Sequence, residues 1–286
     1  MNAGRATRSG GGATRGAKPR ASSRTGAEAF DLAPAGAAAP RSYARLSTRP
    51  LHVLIFLLPL IALYEVGSVV YLTSPDGATQ TIRAQRLLSD AFAMFGATGL
   101  HLPAALAVVV LVTWHLLVRD PWRIRFRVLG WMTVESAAWT LPLVVFGLLM
   151  FRSSGESGPA DVALAAMAAV PDADPAAGPW PARATIALGA GLYEELLFRM
   201  LGLAVVHLVL ADLLRAPDRW AKTGAVVLTA LAFAVYHDGA AGDPMLLAYF
   251  FAAGVYFALV YLWRGFGIVV AVHALYDLLV LVRPFG

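Results

Sequence analysis

The sequence contains no cysteine, which excludes disulfide bonds, thiolate catalysis and cysteine-ligated zinc. Charged residues are also scarce: they make up 14% of the 286 residues, against 58% for hydrophobic ones. Mean hydropathy is +0.65. Several apolar runs approach the ~20 residues that a helix needs to cross a bilayer. The composition therefore predicts an all-α, polytopic transmembrane helical bundle whose main partner is the lipid bilayer.

Lysine is nearly absent, since only Lys18 and Lys222 accompany a large number of arginines, a bias that indicates a GC-rich bacterial genome. The formal net charge of +5 is unevenly distributed. Residues 1–50 contain nine basic groups and two acidic ones, a balance of +7, whereas the rest of the chain contains 14 and 16, a balance of −2. The basic residues are therefore expected to orient the chain in the membrane, and nucleic acid is not an expected partner.

Two domains of different character are predicted. Residues 1–49 consist mainly of Gly, Ala, Ser, Arg and Pro and have little apolar surface to bury, so we expect a disordered basic tail. Such an N terminus can also be an organellar transit peptide, but its Gly-rich start lacks a clear amphipathic period. Residues 50–286 are expected to form the integral membrane domain.

We expect about seven membrane spans, within a range of six to eight, at residues 51–73, 102–118, 128–151, 184–214, 223–236, 245–263 and 266–282. Basic segments alternate with less basic ones, which predicts a cytoplasmic N terminus in the inner membrane of a cell. Residues 82–95 have the pattern of an amphipathic helix at the membrane surface. Residues 184–214 exceed the length of one span, and two half-crossings there would invert the topology that follows.

Two adjacent acids and an arginine interrupt the fourth apolar segment, as Glu194, Glu195 and Arg199. Ionisable groups inside a membrane span are costly and indicate function. Glu195 and Arg199 are four residues apart with the acid first, which favours a structural ion pair on one helix face. Glu194 is turned by about 100° from Glu195, given ~3.6 residues per turn. It therefore has no partner in its own segment.

Two further polar insertions follow along the chain. His237 ends the fifth apolar segment, and His273 with Asp277 interrupts the seventh. At a rise of ~1.5 Å per residue, these groups and Glu194 lie at depths that overlap within about two helical turns of a core ~30 Å thick. Three such insertions in one apolar region favour an active site over structural bracing.

The residue types are those of hydrolysis. A carboxylate beside a histidine can deprotonate water, and a second histidine can stabilise an oxyanion. Glu194, His237 and His273 could instead bind zinc with a water in the fourth position. We favour a site without a metal or other cofactor, because metal ligands commonly share a helix turn and because the nearby Arg199 repels a divalent ion. The sequence leaves both alternatives open.

The pattern Glu194-Glu195-x-x-x-Arg199, Phe233-x-x-x-His237 and His273-x-x-x-Asp277 resembles the three motifs of the CPBP family. This family comprises the CAAX-prenyl endopeptidases and the bacterial abortive-infection and bacteriocin-immunity proteins. The resemblance covers about residues 184–282 and implies an intramembrane endopeptidase. It further implies that Glu194 and His237 activate water and that His273 and Asp277 stabilise the oxyanion. The endopeptidases have Asn in place of Asp277, so Asp277 would need to be protonated or to orient His273.

A non-catalytic scaffold, immunity factor or transporter is the rival interpretation, although no internal repeat indicates a transporter. Other intramembrane protease classes fit poorly, because the sequence has no His-Glu-x-x-His motif and no Gly-x-Ser-x-Gly motif in a span. We expect a peptide or membrane-protein substrate. Glu65 and Glu135 are expected to form hydrogen bonds between helices, and Tyr193 and Tyr276 are possible hydrogen-bond donors beside the site.

Overall fold

The structure is a computed structural model and describes residues 42–74, 79, 81–152, 179–237 and 243–282. Within these residues the chain is helical, and its only strand-like pairing is an isolated bridge between Thr73 and Thr79. The helices are α1 (Tyr43–Ser47), α2 (Pro50–Tyr71), α3 (Arg83–Ala93), α4 (Leu102–Val118), α5 (Phe126–Arg152), α6 (Trp180–Leu213), α7 (Asp218–Tyr236), α8 (Pro244–Arg264) and α9 (Phe266–Leu281). The predicted all-α bundle is confirmed.

Four of the described helices are long and apolar enough to cross a membrane: α2, α5, α6 and α8. Helices α4 and α9 are apolar and shorter. Helix α7 begins with the charged residues Asp218, Arg219 and Lys222 and is apolar from Thr223 onward. The chain is thus a multi-pass membrane protein. The number of crossings and their orientation stay predictions.

Helix α6 is continuous over 34 residues. At ~1.5 Å per residue it is about 50 Å long, more than the ~30 Å core of a bilayer. It contains two π-helical stretches, at Leu196–Gly202 and Val209–Leu213. A continuous helix does not reverse direction, so α6 does not support the alternative of two half-crossings. The first π-helical stretch begins directly after Glu195, and such stretches are frequent at functional sites.

Glycines allow the central helices to approach closely, as small residues commonly do in membrane proteins. A Cβ atom on Gly191 of α6 would lie 2.6 Å from the backbone nitrogen of Ala274 in α9. A Cβ atom on Gly254 of α8 would lie 2.9 Å from Cα of Ala230 in α7. The contact between Gly191 and Ala274 brings the acids of α6 beside His273, which directly precedes Ala274.

The two acids outside the motifs connect helices, as predicted. Glu65 of α2 accepts a hydrogen bond of 2.8 Å from the hydroxyl of Tyr193 in α6. Glu135 of α5 accepts one from Tyr43 in α1 and one of 2.8 Å from Nη2 of Arg264 in α8. Neither acid lines the cavity that contains the motif residues. Their hydrogen bonds instead fix the positions of the surrounding helices.

Several predictions concern residues that are only partly described. Of the predicted tail at residues 1–49, residues 1–41 lie outside the described part, and α1 forms within the remainder. Of the segment between α5 and α6, residues 153–178 also lie outside it. The predicted amphipathic helix at residues 82–95 corresponds to α3.

Candidate active site

The three polar insertions of the sequence meet at one place. Oε2 of Glu194 in α6 lies 3.8 Å from Nε2 of His237 and 3.9 Å from Nε2 of His273 in α9. All three residues are buried, with exposed fractions of 6%, 6% and 4%. Both distances are too long for a direct hydrogen bond and short enough for one water molecule to bridge. The structure therefore brings together Glu194, His237 and His273, whose estimated depths in the membrane overlap.

His237 follows the last residue of α7 and is held by two contacts. Its Nδ1 atom lies 2.8 Å from the backbone oxygen of Phe233, and its ring stacks on Phe250 with centroids 4.2 Å apart and planes 5° apart. A carbonyl oxygen can only accept, so Nδ1 must carry the proton. In the neutral ring, Nε2 therefore directs a lone pair toward Glu194.

His273 lies between two carboxyl groups. Its Nδ1 atom is 2.7 Å from Oε1 of Glu195, and its Nε2 atom is 3.4 Å from Oδ2 of Asp277, one turn further along α9. Its ring also stacks on Phe257, with centroids 4.5 Å apart. The bond to Glu195 was not predicted. It joins two residues 78 positions apart on different helices, and the sequence contains no signal for it.

The predicted ion pair within α6 is present and fully buried. Nη1 of Arg199 lies 3.2 Å from Oε1 of Glu195, and the two side chains are 2% and 0% exposed. The guanidinium carbon lies 4.2 Å from the ring centroid of Phe233 and 5.2 Å from that of Phe257. Aromatic faces attract a cation at such distances. Arg199 also donates to the backbone oxygen of Gly254 at 3.4 Å, which ties α6 to α8.

A cavity opens onto these residues, with an empty volume of about 660 Å³ that includes the open space at its mouth. Its apolar lining comes from Ile82, just before α3, and from aromatic and aliphatic side chains of α5 to α8. The polar lining residues are Arg83, Glu194, Tyr236, His237, Tyr249, His273, Tyr276 and Asp277. Oε2 of Glu194 is buried and has no hydrogen-bond partner among the described residues. A buried carboxylate oxygen directed at a cavity is typical of a group that acts on a bound molecule.

Residues 176–279 match the family model described as type II CAAX prenyl endopeptidase Rce1-like. This part of the chain is an Rce1-like domain. The match contains all three motifs and confirms the family that they predicted. No curated protein and no solved structure matches the chain significantly. The apolar helices and the match at residues 176–279 together indicate a multi-pass membrane protein with a segment similar to the CAAX-protease-like peptidases.

The positions of the side chains show whether the site could hold a zinc ion. Among the described residues, no three His, Asp or Glu side chains are grouped so that they could hold a metal ion. Glu194, His237 and His273, the ligand set of the zinc alternative, therefore do not form such a group. The absence of a metal from the reaction stays a prediction.

Sequence reasoning missed some residues of the site. Tyr193, expected as a hydrogen-bond donor beside the motifs, donates to Glu65 and does not line the cavity. Tyr276 does line the cavity, and its hydroxyl bonds to that of Tyr249, which was not predicted. Tyr236 was also missed, although it directly precedes His237. A tyrosine at a helix end has no distinctive pattern, so only the fold could identify it.

Proposed function

We propose that the protein is an intramembrane endopeptidase of the CPBP family that hydrolyses a peptide bond with a water molecule activated by Glu194 and His237. One observation carries the proposal. Oε2 of Glu194 and Nε2 of His237 are two hydrogen-bond acceptors 3.8 Å apart at the wall of a buried, mainly apolar cavity. The substrate is a peptide or a membrane protein, and the protein resides in the inner membrane with its N terminus in the cytoplasm.

The two acceptors suit a water molecule that donates one hydrogen to each. Ionised Glu194 accepts through Oε2, and neutral His237 accepts through Nε2 because its Nδ1 proton is directed at Phe233. The water oxygen then has a lone pair free to attack the carbonyl carbon of the scissile bond. Its proton passes to Glu194 or His237 as the C–O bond forms. The same group later protonates the amine nitrogen as the C–N bond breaks.

His273 supports the tetrahedral intermediate. A doubly protonated imidazole donates from Nδ1 to Glu195 and can donate from Nε2 to the developing oxyanion, where fixed donors contribute strongly to catalysis. Asp277 contacts the same Nε2 atom from within α9 and orients the ring. Two carboxyl groups beside one imidazole stabilise its charged form. Glu195 is in turn held by Arg199.

The proposal is tested by comparing the membranes of cells that produce the wild type or Glu194→Gln at equal levels. New peptide N termini that occur only with the wild type identify the cleaved protein and its cleavage site. The purified protein in liposomes should then cleave a peptide containing that site, and Glu194→Gln and His237→Ala should not. Identical sets of termini in the two membranes would instead support a non-catalytic scaffold, immunity factor or transporter.

A further inference from the structure

The start of α3 meets the end of α7 at the wall of the cavity. Nη1 of Arg83 donates a hydrogen bond of 2.9 Å to the backbone oxygen of Tyr236, the last residue of α7. The guanidinium carbon of Arg83 also lies 5.3 Å from the centroid of the Tyr236 ring. Both residues line the cavity. His237, the proposed partner of Glu194, is the next residue in the chain.

The last turn of a helix needs such a contact because its final carbonyl groups have no partner within the helix. A basic side chain can satisfy them and also interacts favourably with the negative end of the helix dipole. His237, which follows α7, is not itself in the left-handed conformation that often closes a helix, since it has φ −83° and ψ 88°. Its backbone nitrogen donates to the backbone oxygen of Ala234 at 3.3 Å. Arg83 supplies a hydrogen-bond donor to the backbone oxygen of Tyr236, in the last turn of α7.

Tyr236 carries the contact from α3 toward the proposed catalytic pair. Its ring packs edge-on against His237, with centroids 5.1 Å apart, and against Phe198 of α6, with centroids 5.2 Å apart. Arg83 holds the backbone oxygen of the same residue. Tyr236 thus contacts the start of α3, His237 and α6, the helix that contains Glu194.

Helix α3 is firmly placed and can serve as an anchor. Gln85 is 1% exposed, bonds to the hydroxyl of Tyr64 in α2, and donates to the backbone oxygen of Leu100 at 2.9 Å. Leu88, one turn later, is buried, whereas Arg86 is exposed. This is the pattern of the amphipathic surface helix that the sequence predicted.

We propose that Arg83 is a positioning residue of the peptidase site, which fixes the last turn of α7 so that Nε2 of His237 faces Glu194. The inference rests on the proposed function and adds to it a residue outside the three motifs and outside the Rce1-like domain. Arg83 acts through the backbone of Tyr236, so its loss should slow the chemical step. Substrate binding should change little.

Kinetics in liposomes test this role, with a fluorescence-quenched peptide that contains the cleavage site found by the membrane comparison. Arg83→Met should lower kcat by roughly 10- to 100-fold and leave KM within about twofold, because a small misplacement of a reacting group can cost this much. Arg83→Lys keeps one donor and should recover part of the loss. Arg86→Met is the matched control, because it removes the same charge from an exposed position on α3 and should behave as the wild type.

The lack of cysteine allows a second measurement that needs no substrate. Spin labels on cysteines introduced at Ala91 of α3 and Val235 of α7, both exposed, report the distance between the two helices. Arg83→Met should broaden the distance distribution, and Arg86→Met should not. If the distance distribution broadens in Arg83→Met but the wild type cleaves no peptide, the result contradicts the proposed function. It still supports the contact between Arg83 and the end of α7.

Two results would overturn the inference. A raised KM with unchanged kcat and an unchanged distance distribution would make Arg83 a residue that binds an anionic group of the substrate. Wild-type kinetics and distances in Arg83→Met would show that Arg83 has no role at the site.

Discussion

Nδ1 of His273 lies 2.7 Å from Oε1 of Glu195, and the same oxygen lies 3.2 Å from Nη1 of Arg199. One carboxylate oxygen thus connects the ion pair of α6 to the imidazole of α9. Glu195 is 0% exposed and faces away from the cavity, whereas its neighbour Glu194 lines it. The two adjacent acids therefore have different surroundings, since Glu195 contacts His273 and Glu194 lines the cavity.

The first prediction separates these roles. Glu195→Gln and Arg199→Ala should each lower the free energy of unfolding, by about 3–5 kcal/mol, because each leaves a buried charge without its partner. Glu194→Gln should leave the fold nearly intact and lower peptidase activity on the order of 10²–10⁴-fold. Yield of monodisperse protein and thermal unfolding in detergent measure the first effect. Equal loss of folded protein in all three variants would show that Glu194 is structural as well.

The sequence was most informative where a feature depends on residues close together in the chain. The helix predicted at residues 102–118 has the bounds of α4, and the Glu195–Arg199 pair follows from a spacing of four residues. The estimated depths of His237 and His273 in the membrane were compatible with one site but did not by themselves place these residues together. These features need only the period of a helix and the thickness of a bilayer.

The features that the sequence did not reveal depend on how helices pack. The bond between Glu195 and His273 requires α6 and α9 to approach at Gly191. The bond between Arg83 and Tyr236 joins residues 153 positions apart. Neither has a local pattern. The π-helical stretch after Glu195 was also unexpected, since its residues are ordinary apolar ones apart from Arg199.

The second prediction tests the close approach of α6 and α9. A Cβ atom on Gly191 would lie 2.6 Å from the backbone nitrogen of Ala274 and 2.7 Å from its Cβ. Gly191→Ala should therefore force the helices apart, destabilise the protein by about 1–3 kcal/mol and lower activity at least tenfold by moving Glu194 from His273. Gly130→Ala in α5 is the control, because nothing lies within 4 Å of its Cβ position. Wild-type activity in Gly191→Ala would contradict the packing described for these helices.

The third prediction concerns topology. Reporter fusions at Arg125 and Arg219 should report the cytoplasm, and a fusion at Asp174 should report the opposite side, because the positive-inside rule places basic loops in the cytoplasm. The continuous helix α6 lies between Asp174 and Arg219 and accounts for one crossing. If Arg219 and Asp174 report the same side, α6 does not cross the membrane as a single span.

The fourth prediction concerns Asp277, where the endopeptidases of the family have Asn. If Asp277 acts by orienting His273, the carbonyl oxygen of an amide can replace it as an acceptor. Asp277→Asn should thus keep activity within about tenfold of the wild type, whereas Asp277→Leu, of similar size and without an acceptor, should lose on the order of 10²-fold or more. Steady-state cleavage in liposomes measures both. If Asn is as damaging as Leu, the negative charge of Asp277 is required, and its role is to stabilise the charged form of His273.

The last prediction is that the reaction needs no metal. A carboxylate on the far nitrogen of a histidine, as Glu195 is on His273, also occurs where a histidine binds zinc. That contact alone therefore does not distinguish the alternatives. One other feature favours the metal-free site. The buried cation of Arg199 weakens the attraction of the site for a divalent ion.

The measurement is the metal content of the purified protein, with peptide cleavage before and after a strong chelator. We expect less than stoichiometric zinc and unchanged cleavage after chelation. The metal content of Glu194→Gln and His237→Ala provides a readout that does not depend on activity, because loss of a ligand typically lowers metal affinity and loss of a metal-free base does not. Stoichiometric zinc in the wild type, lost from both variants, with activity removed by chelation and restored by added zinc, would make Glu194 and His237 ligands. The metal ion would then activate the attacking water.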